Sequence, residues 1–344
     1  MMAAVLYGKE QLKVEPVAVP RLGSGDVLVR VKAALTCGTD VKVFRRGYHA
    51  RMIVPPALFG HELAGDIVSV GSEVRTFRAG QRVVAANSAP CGACFYCKRN
   101  LENLCEDLLF NNGAYAEFIR IPSRIVQRNL YEIPNHVSYQ DAALSEPLAC
   151  VLRGLEESGV NPGDTISVIG LGPIGLMFVR LAKRVFGARV IAIGRRQQQL
   201  DRARAMGADE TISTADTTDV VGIARGMTDG NRGVDVAIEA VGKPETWEIA
   251  VNMLRRGGTV NFFGGCPKDT RVDLETNLLH YSEITCKASF HHTPRLIRKA
   301  LDVVSRGDIT ARDFVTHEEP LSNLLEVMKY LMSHNGHLKT AIIP

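Results

Sequence analysis

The run Thr165-Ile166-Ser167-Val168-Ile169 is followed at once by Gly170-Leu171-Gly172-Pro173-Ile174-Gly175, and an apolar helical pattern then extends over 175–186. The run does not alternate, so it reads as a strand buried on both faces. The glycines form G-x-G-x-x-G, a weak signal alone but a restrictive one where it closes a strand and opens a helix. Gly170 makes the turn, Gly172 lets a pyrophosphate approach the backbone, and Gly175 lets helix and strand pack closely. The helix N-terminus then faces the phosphates. The alternation continues with a strand over 189–194, a helix over 197–206, and strands over 234–239 and 259–263. Such an order implies an α/β domain, a doubly wound parallel sheet of the Rossmann kind.

The second strand ends in Gly194-Arg195-Arg196, where NAD-binding chains carry an Asp or Glu for the ribose 2′-hydroxyl. Two guanidinium groups stand instead where a 2′-phosphate would lie, and Arg pairs with phosphate as a bidentate fork. NADP is therefore expected over NAD, with Gly170, Gly172, Pro173, Ile174, Gly175, Gly194, Arg195 and Arg196 as cofactor-binding residues. The plainer alternative is a pair of solvated arginines at a helix start.

The chain has 344 residues, which favours more than one domain. Residues up to about 145 read as short strands broken by Gly and Pro, with alternation over 27–32 and 65–70 and little helical periodicity. The texture changes near Ala142, with a helix over 147–155, and shortens again after Ile284, with a last strand over 338–343. A net charge of +4, with basic and acidic residues interleaved, gives no case for nucleic acid. No run of eighteen apolar residues suggests a membrane span, and the N-terminus lacks the pattern of a secretory signal. A cytoplasmic protein with reduced thiols is expected.

Of eight cysteines, four fall at Cys91, Cys94, Cys97 and Cys105, as C-x2-C-x2-C-x7-C. Closely spaced thiolates in one loop suit tetrahedral zinc, and their spacing suits disulfides poorly. A site closed by four sulfurs is structural, so chemistry must come from elsewhere. One thiolate, Cys37 in Cys37-Gly38-Thr39-Asp40, one imidazole, His61, and one carboxylate, from Glu62 or from Glu146 in Ser145-Glu146-Pro147-Leu148, offer the open three-ligand set that catalytic zinc requires.

The stretch Gly60-His61-Glu62-Leu63-Ala64-Gly65, continued by Gly71 and Val74, resembles the zinc signature of the medium-chain zinc-dependent alcohol dehydrogenase family. So does the Cys37 tetrapeptide, and the four-cysteine lobe and glycine turn fall in the family's order. The likeness covers essentially the whole chain and is nearest the polyol (sorbitol/iditol) and L-threonine dehydrogenase branch. It implies Cys37, His61 and Glu62 as ligands of a catalytic zinc, with Glu146 exchanging with them or holding water. It implies Cys91, Cys94, Cys97 and Cys105 as a structural site, making two zinc ions per chain. A GroES-like, mainly-β catalytic domain over 1–148, with its zinc lobe at 88–108, would resume over 289–344, the Rossmann domain over 149–288 being inserted between. The active site would lie in the cleft, and a homodimer or homotetramer is usual for the family.

The same resemblance implies the reaction: zinc polarises a secondary alcohol, a polyol or sugar alcohol in this branch, and hydride passes to the nicotinamide. Thr39 matches the hydroxyl that first takes the proton. The family's relay histidine, five residues after the ligand Cys, is here Lys42, which titrates far above His unless desolvated. His49, His291 and His292 are the other candidates for relay or substrate contact, with His291 the catalytic choice. The basic run Lys42, Arg45, Arg46, His49 and Arg51 could select an anionic substrate or be a solvated face. Loops at 44–51, 111–113 and near His291 are expected to shape substrate choice. L-Threonine or another amino alcohol is the second enzyme reading; the zinc-free quinone reductases lack the ligand sets seen here. A non-catalytic zinc- and nucleotide-binding scaffold is the alternative of another class, and it has no reason to keep Cys37, His61 and Glu62 together.

Overall fold

Strand Val27–Leu35 is the centre of a seven-stranded sheet. Glu62–Val70, Lys339–Ile343 and Phe118–Ile121 all pair with it antiparallel. Arg82–Ala85 and Leu130–Glu132 extend the sheet on one side, and Val315–Pro320 on the other. Its apolar side chains Val27, Val29 and Val31 point inward with Leu63, Ile67 and Val83, as period-two alternation requires. A smaller sheet joins Met2–Gly8 to Gln11–Pro16 and Ala57–Leu58. This computed structural model describes residues 1–49, 51–333 and 338–344. They divide into two units, Met1–Ala149 with His292–Pro344, and Cys150–His291. The final strand therefore returns to the first unit, pairing Ala341 with Leu35 beside the Cys37 segment.

The first unit is more helical than its sequence texture suggests, with helices at Gly38–Arg46, Ser123–Asn129 and Tyr139–Ala143. They are too short to show periodicity, and the first is specified by its ends instead. Cys37 accepts from the backbone N–H of Thr39, Asp40 reaches back to the Cys37 N–H in a capping box, and Gly47 closes the helix in the left-handed conformation.

The second unit carries a six-stranded, all-parallel sheet in the order Glu210–Ser213, Arg189–Gly194, Thr165–Ile169, Val234–Glu239, Leu254–Phe262, Thr285–Lys287. From Thr165–Ile169 the chain builds outward one way and then the other. The reversal between that strand and Val234–Glu239 is the switch point at which doubly wound folds bind ligands. Strand Leu254–Phe262 begins five residues earlier than its apolar run, because Arg255, Arg256, Gly257 and Gly258 carry no strand signature. Helix Ser145–Glu157 runs across the division between the units.

Candidate active site

The lobe cysteines Cys91, Cys94, Cys97 and Cys105 bring their sulfurs within 4.8 Å of one another, and all four are unpaired as disulfides. Cys91 and Cys97 sulfurs lie 3.9 Å apart, as do those of Cys94 and Cys105. Four sulfurs at the usual zinc–sulfur bond length of about 2.3 Å form a tetrahedron with edges of about 3.8 Å, so the donor set fits the ion. Backbone N–H groups at Cys97 and Glu106 pull the Cys94 thiol down to about 6, while burial pushes Cys97 up to about 12 and raises Cys105. Cys94 is thus the thiolate of the set, and a metal would have to displace protons from the buried pair.

In the same unit Cys37, His61 and Glu62 form a second cluster, also within 4.8 Å. Cys37 caps the helix Gly38–Arg46, whose N-terminus favours a negative sulfur. His61 and Glu62 open the neighbouring strand, and the pairing of Leu35 with Glu62 fixes their approach. Asp40 Oδ1 lies 2.9 Å from His61 Nδ1 and accepts its proton, leaving Nε2 as the ligand atom. Tyr115 Oη donates to Asp40 Oδ2 at 2.6 Å, so the orienting carboxylate is itself held. Burial disfavours a charged His61, but Asp40 and the Cys37 thiolate outweigh it and hold the ring well above its ordinary pKa. Surroundings that favour positive charge at a fully buried point, with three convergent soft and hard donors, fit a zinc ion.

Lys339, from the last strand, completes the arrangement and was not foreseen from sequence. Its buried Nζ donates to Glu62 Oε1 at 2.8 Å, to Glu62 Oε2 at 2.6 Å and to Thr36 O at 3.0 Å. A carboxylate has lone pairs for both an ammonium and a metal. Burial raises the Glu62 pKa and Lys339 pulls it back, while Glu62 holds Lys339 up against its own desolvation. Lys339 stands 302 residues from Cys37 in sequence, and a lone lysine in a terminal strand gives no motif to find it by.

Glu146 is not one of the three mutually close donors. Burial pushes its carboxyl up to about 7, His61 opposing and Glu62 adding to the shift. His292 Nε2 donates to Asn87 Oδ1 at 3.0 Å and lies 3.6 Å from Glu146 Oε1, all three side chains being buried. Asn87 too was missed, since a single Asn before Ser88 carries no signal. His291 ends the second unit with a positive φ of 65°. Thr39 is half-buried in the first turn of its helix, and Lys42, one turn on, is exposed.

His49 Nδ1 accepts the backbone N–H groups of Arg51 and Met52 at 3.2 and 3.1 Å. The neutral ring therefore carries its proton on Nε2, and partial burial, with His61, Arg46 and Arg51 adding, lowers its pKa. Asn112 donates to Met52 O at 2.7 Å, which joins the loop at 111–113 to the segment after His49. Residue 50, within the expected loop 44–51, lies outside the described residues.

In the second unit Gly170 has φ 95°, and a Cβ on Gly175 would stand 1.7 Å from Gly170 O, so the turn tolerates no side chain at either position. A Cβ on Gly172 would meet nothing within 4 Å. Helix Pro173–Arg184 starts there without a side-chain cap, so its first N–H groups face open space, a cradle that fits a pyrophosphate. Arg195 is exposed at the end of strand Arg189–Gly194, and Arg196 precedes helix Gln197–Ala205. Partial burial, with the charge of Arg195 adding, lowers the Arg196 pKa.

A parallel sheet with a glycine cradle, a closed four-sulfur site and an open thiolate–imidazole–carboxylate site define a zinc- and nucleotide-dependent oxidoreductase. Residues 23–134 match the alcohol dehydrogenase GroES-like domain and residues 173–306 the zinc-binding dehydrogenase family. The chain belongs to the zinc-binding medium-chain alcohol dehydrogenase family, as an enzyme of its polyol and threonine dehydrogenase branch. It is 31% identical to sorbitol dehydrogenase of Bacillus subtilis, over 100% of this chain and 97% of that one. It is 33% identical to L-idonate 5-dehydrogenase of Vitis vinifera, over 92% and 87%. The solved structure of a zinc-binding dehydrogenase from Sinorhizobium meliloti bound to NADP superposes with a TM-score of 0.91 at 32% identity, covering 100% and 99% of the two chains. Among the described residues no helix is long and apolar enough to cross a membrane.

Proposed function

We propose that this enzyme oxidises a secondary hydroxyl of a polyol or sugar alcohol with NADP, and reduces the corresponding ketone with NADPH. The observation that carries the reaction class is the buried Cys37–His61–Glu62 cluster, oriented by Asp40 and charge-balanced by Lys339. The substrate class is supported by the sorbitol and idonate relatives, the cofactor by the paired Arg195 and Arg196 and by the NADP-bound Sinorhizobium structure.

Cys37, His61 and Glu62 would hold the catalytic zinc, with Glu146 beside them, and Cys91, Cys94, Cys97 and Cys105 a structural one. When bound, the catalytic ion supplies Lewis acidity that makes the substrate hydroxyl a stronger acid. The chain's own part is to fix the donors and to move a proton. Asp40 sets the His61 tautomer, and Lys339 opposes the upward push that burial gives the Glu62 pKa. Thr39 would take the proton at its hydroxyl oxygen. Lys42, three residues on and therefore on the same helix face, would lead it toward solvent. His49 is a poor terminus because its Nδ1 is already occupied by two backbone donors. Assembly as a homodimer or homotetramer belongs to the same proposal, and sedimentation reads it.

The decisive experiment screens polyols, sugar acids, simple secondary alcohols and L-threonine with NADP and NAD, following reduced nicotinamide absorbance. Turnover of polyols with kcat/KM at least tenfold higher for NADP is expected, a difference of about 1.4 kcal/mol. Preference for NAD would end the cofactor assignment, and turnover confined to L-threonine would end the substrate assignment.

A further inference from the structure

Glu239 is the last residue of strand Val234–Glu239 and is wholly buried, yet none of its recorded partners is a cation. Its Oε1 accepts from Val241 N–H at 2.8 Å, Gly242 N–H at 3.0 Å and Thr246 Oγ at 2.7 Å, and its Oε2 from Gly242 N–H at 3.2 Å. An ionised carboxylate so far from water is expensive unless donors surround it. Here the donors are the backbone of the loop that follows its own strand and Thr246 in the first turn of the helix Pro244–Asn252, so the carboxylate ties that loop to the helix start.

The loop is locked from other sides as well. Gly242 has φ 82°, and a Cβ there would stand 2.6 Å from Gly265 O. A Cβ on Gly264 would stand 2.4 Å from Gly242 N and 2.7 Å from Glu239 Oε2. Gly264 N–H donates to Glu239 O at 2.8 Å, and Trp247 Nε1 donates to Gly264 O at 3.1 Å. The Trp247 ring lies flat on Phe262 at 3.9 Å. The loops after two adjacent parallel strands thus form one rigid piece with the carboxylate at its centre.

That piece reaches the glycine turn. Ala240 N–H donates to Ile169 O at 2.8 Å, and Val241 Cγ2 lies 2.5 Å from where a Cβ on Gly170 would stand. Val241 nevertheless remains 39% exposed, an apolar side chain presented at the carboxyl edge of the sheet. The adenosine side of the sheet is that of strand Arg189–Gly194, which ends at Arg195. Residues 240–242 lie across the switch point from it, on the side to which the rest of a dinucleotide must extend from its pyrophosphate.

We propose that Glu239 is a positioning residue for the nicotinamide half of the cofactor, acting by holding residues 240–242 in the binding conformation before the cofactor arrives. The inference rests on the NAD(P) reading but not on the identity of the alcohol. Preorganisation of this kind lowers the ordering cost of binding and shows as affinity.

The test is equilibrium titration of NADPH fluorescence with wild type, Glu239→Leu and Glu239→Gln, each checked for fold by circular dichroism and for zinc content. The Leu variant keeps volume and removes every acceptor. Its NADPH Kd should rise about tenfold or more, its cofactor KM in parallel, with alcohol KM and zinc content unchanged. The Gln variant retains one acceptor oxygen and should recover most of the loss. A Leu variant within about twofold of wild type overturns the proposal. Amide hydrogen exchange of the cofactor-free wild type supplies a readout independent of any variant's folding. Val241 and Gly242 should exchange slowly, and exchange at the rate of open loops overturns preorganisation. Wild type that binds NADPH but turns over no polyol would refute the substrate assignment and leave this inference standing.

Discussion

Replacing Lys339 by Met removes a buried ammonium and leaves the Glu62 carboxylate without water and without its hydrogen-bonded cation. Lys339 is 2% exposed and Glu62 0%, and three hydrogen bonds vanish together. Breaking a buried pair from one side costs about 3–5 kcal/mol, most of it the stranded charge. The stranded acid finds relief by taking up a proton, so its folded pKa climbs further above the unfolded value. The folded state then binds more protons than the unfolded state, and stability falls as pH rises between those two pKa values, by about 1.4 kcal/mol per pH unit at most. Zinc changes the outcome if Glu62 is its ligand, because the ion then supplies the missing positive charge. Urea unfolding of zinc-stripped and zinc-loaded protein, at about pH 5.5 and about pH 8, reads all of this. The stripped Lys339→Met protein should lose about 3–5 kcal/mol at the higher pH and less at the lower, and the loaded protein about 1 kcal/mol. Equal losses with and without zinc would refute Glu62 as a ligand. A stripped protein that loses under about 1 kcal/mol would refute the buried pair itself.

Asp40→Asn weakens the acceptor of the His61 Nδ1 proton and of the Tyr115 hydroxyl, and should reduce zinc affinity about 10- to 100-fold by competition with a chromophoric chelator, leaving the lobe zinc in place. Arg195→Ala should remove a charge-assisted contact of about 1.5–3 kcal/mol, lowering kcat/KM for NADP by tenfold or more while that for NAD stays level. His292→Ala should lower kcat by about tenfold or more with little change in alcohol KM, and His292→Asn should restore part of it; a change confined to thermal stability would show that the contacts to Asn87 and Glu146 only pack the core.

The parts legible in sequence are those specified locally. The strand, glycine turn and helix around Gly170 are neighbours in the chain, and the strand over 189–194 follows at the expected distance, so pattern sufficed for these elements. The same holds for the four lobe cysteines, which one loop brings together. Cys37, His61 and Glu62 needed more, because two strands and a helix cap assemble them, and the family resemblance supplied what spacing does not. Asp40 stood in the quoted tetrapeptide without a role, since its bond to His61 exists only after Val27–Leu35 and Glu62–Val70 have paired. Lys339, Tyr115, Asn87 and Glu239 left no local trace. Each acts through a tertiary contact, and buried polar residues read one at a time look like exceptions to a core rather than members of a site.

The placement of these unforeseen residues has a common physical logic. The buried carboxylates Asp40, Glu62 and Glu146 lie in one unit with the buried cation Lys339 and the imidazoles of His61 and His292. Burial keeps Glu146 near the point of protonation, at about 7, as long as no further cation is present. A divalent ion would complete the balance, so the side chains are arranged for its charge as much as for its coordination. The cofactor site works the opposite way. In the proposed reading its glycine cradle and the adjacent Arg195 and Arg196 would offer positive potential to an anionic ligand, while the buried carboxylate of Glu239 is satisfied by backbone and hydroxyl donors. Each half of the enzyme is thus electrostatically incomplete until it meets a partner of the opposite sign. Metal loading should therefore stabilise the first unit, because an ion that binds the folded donors and not the unfolded chain adds its binding free energy to folding.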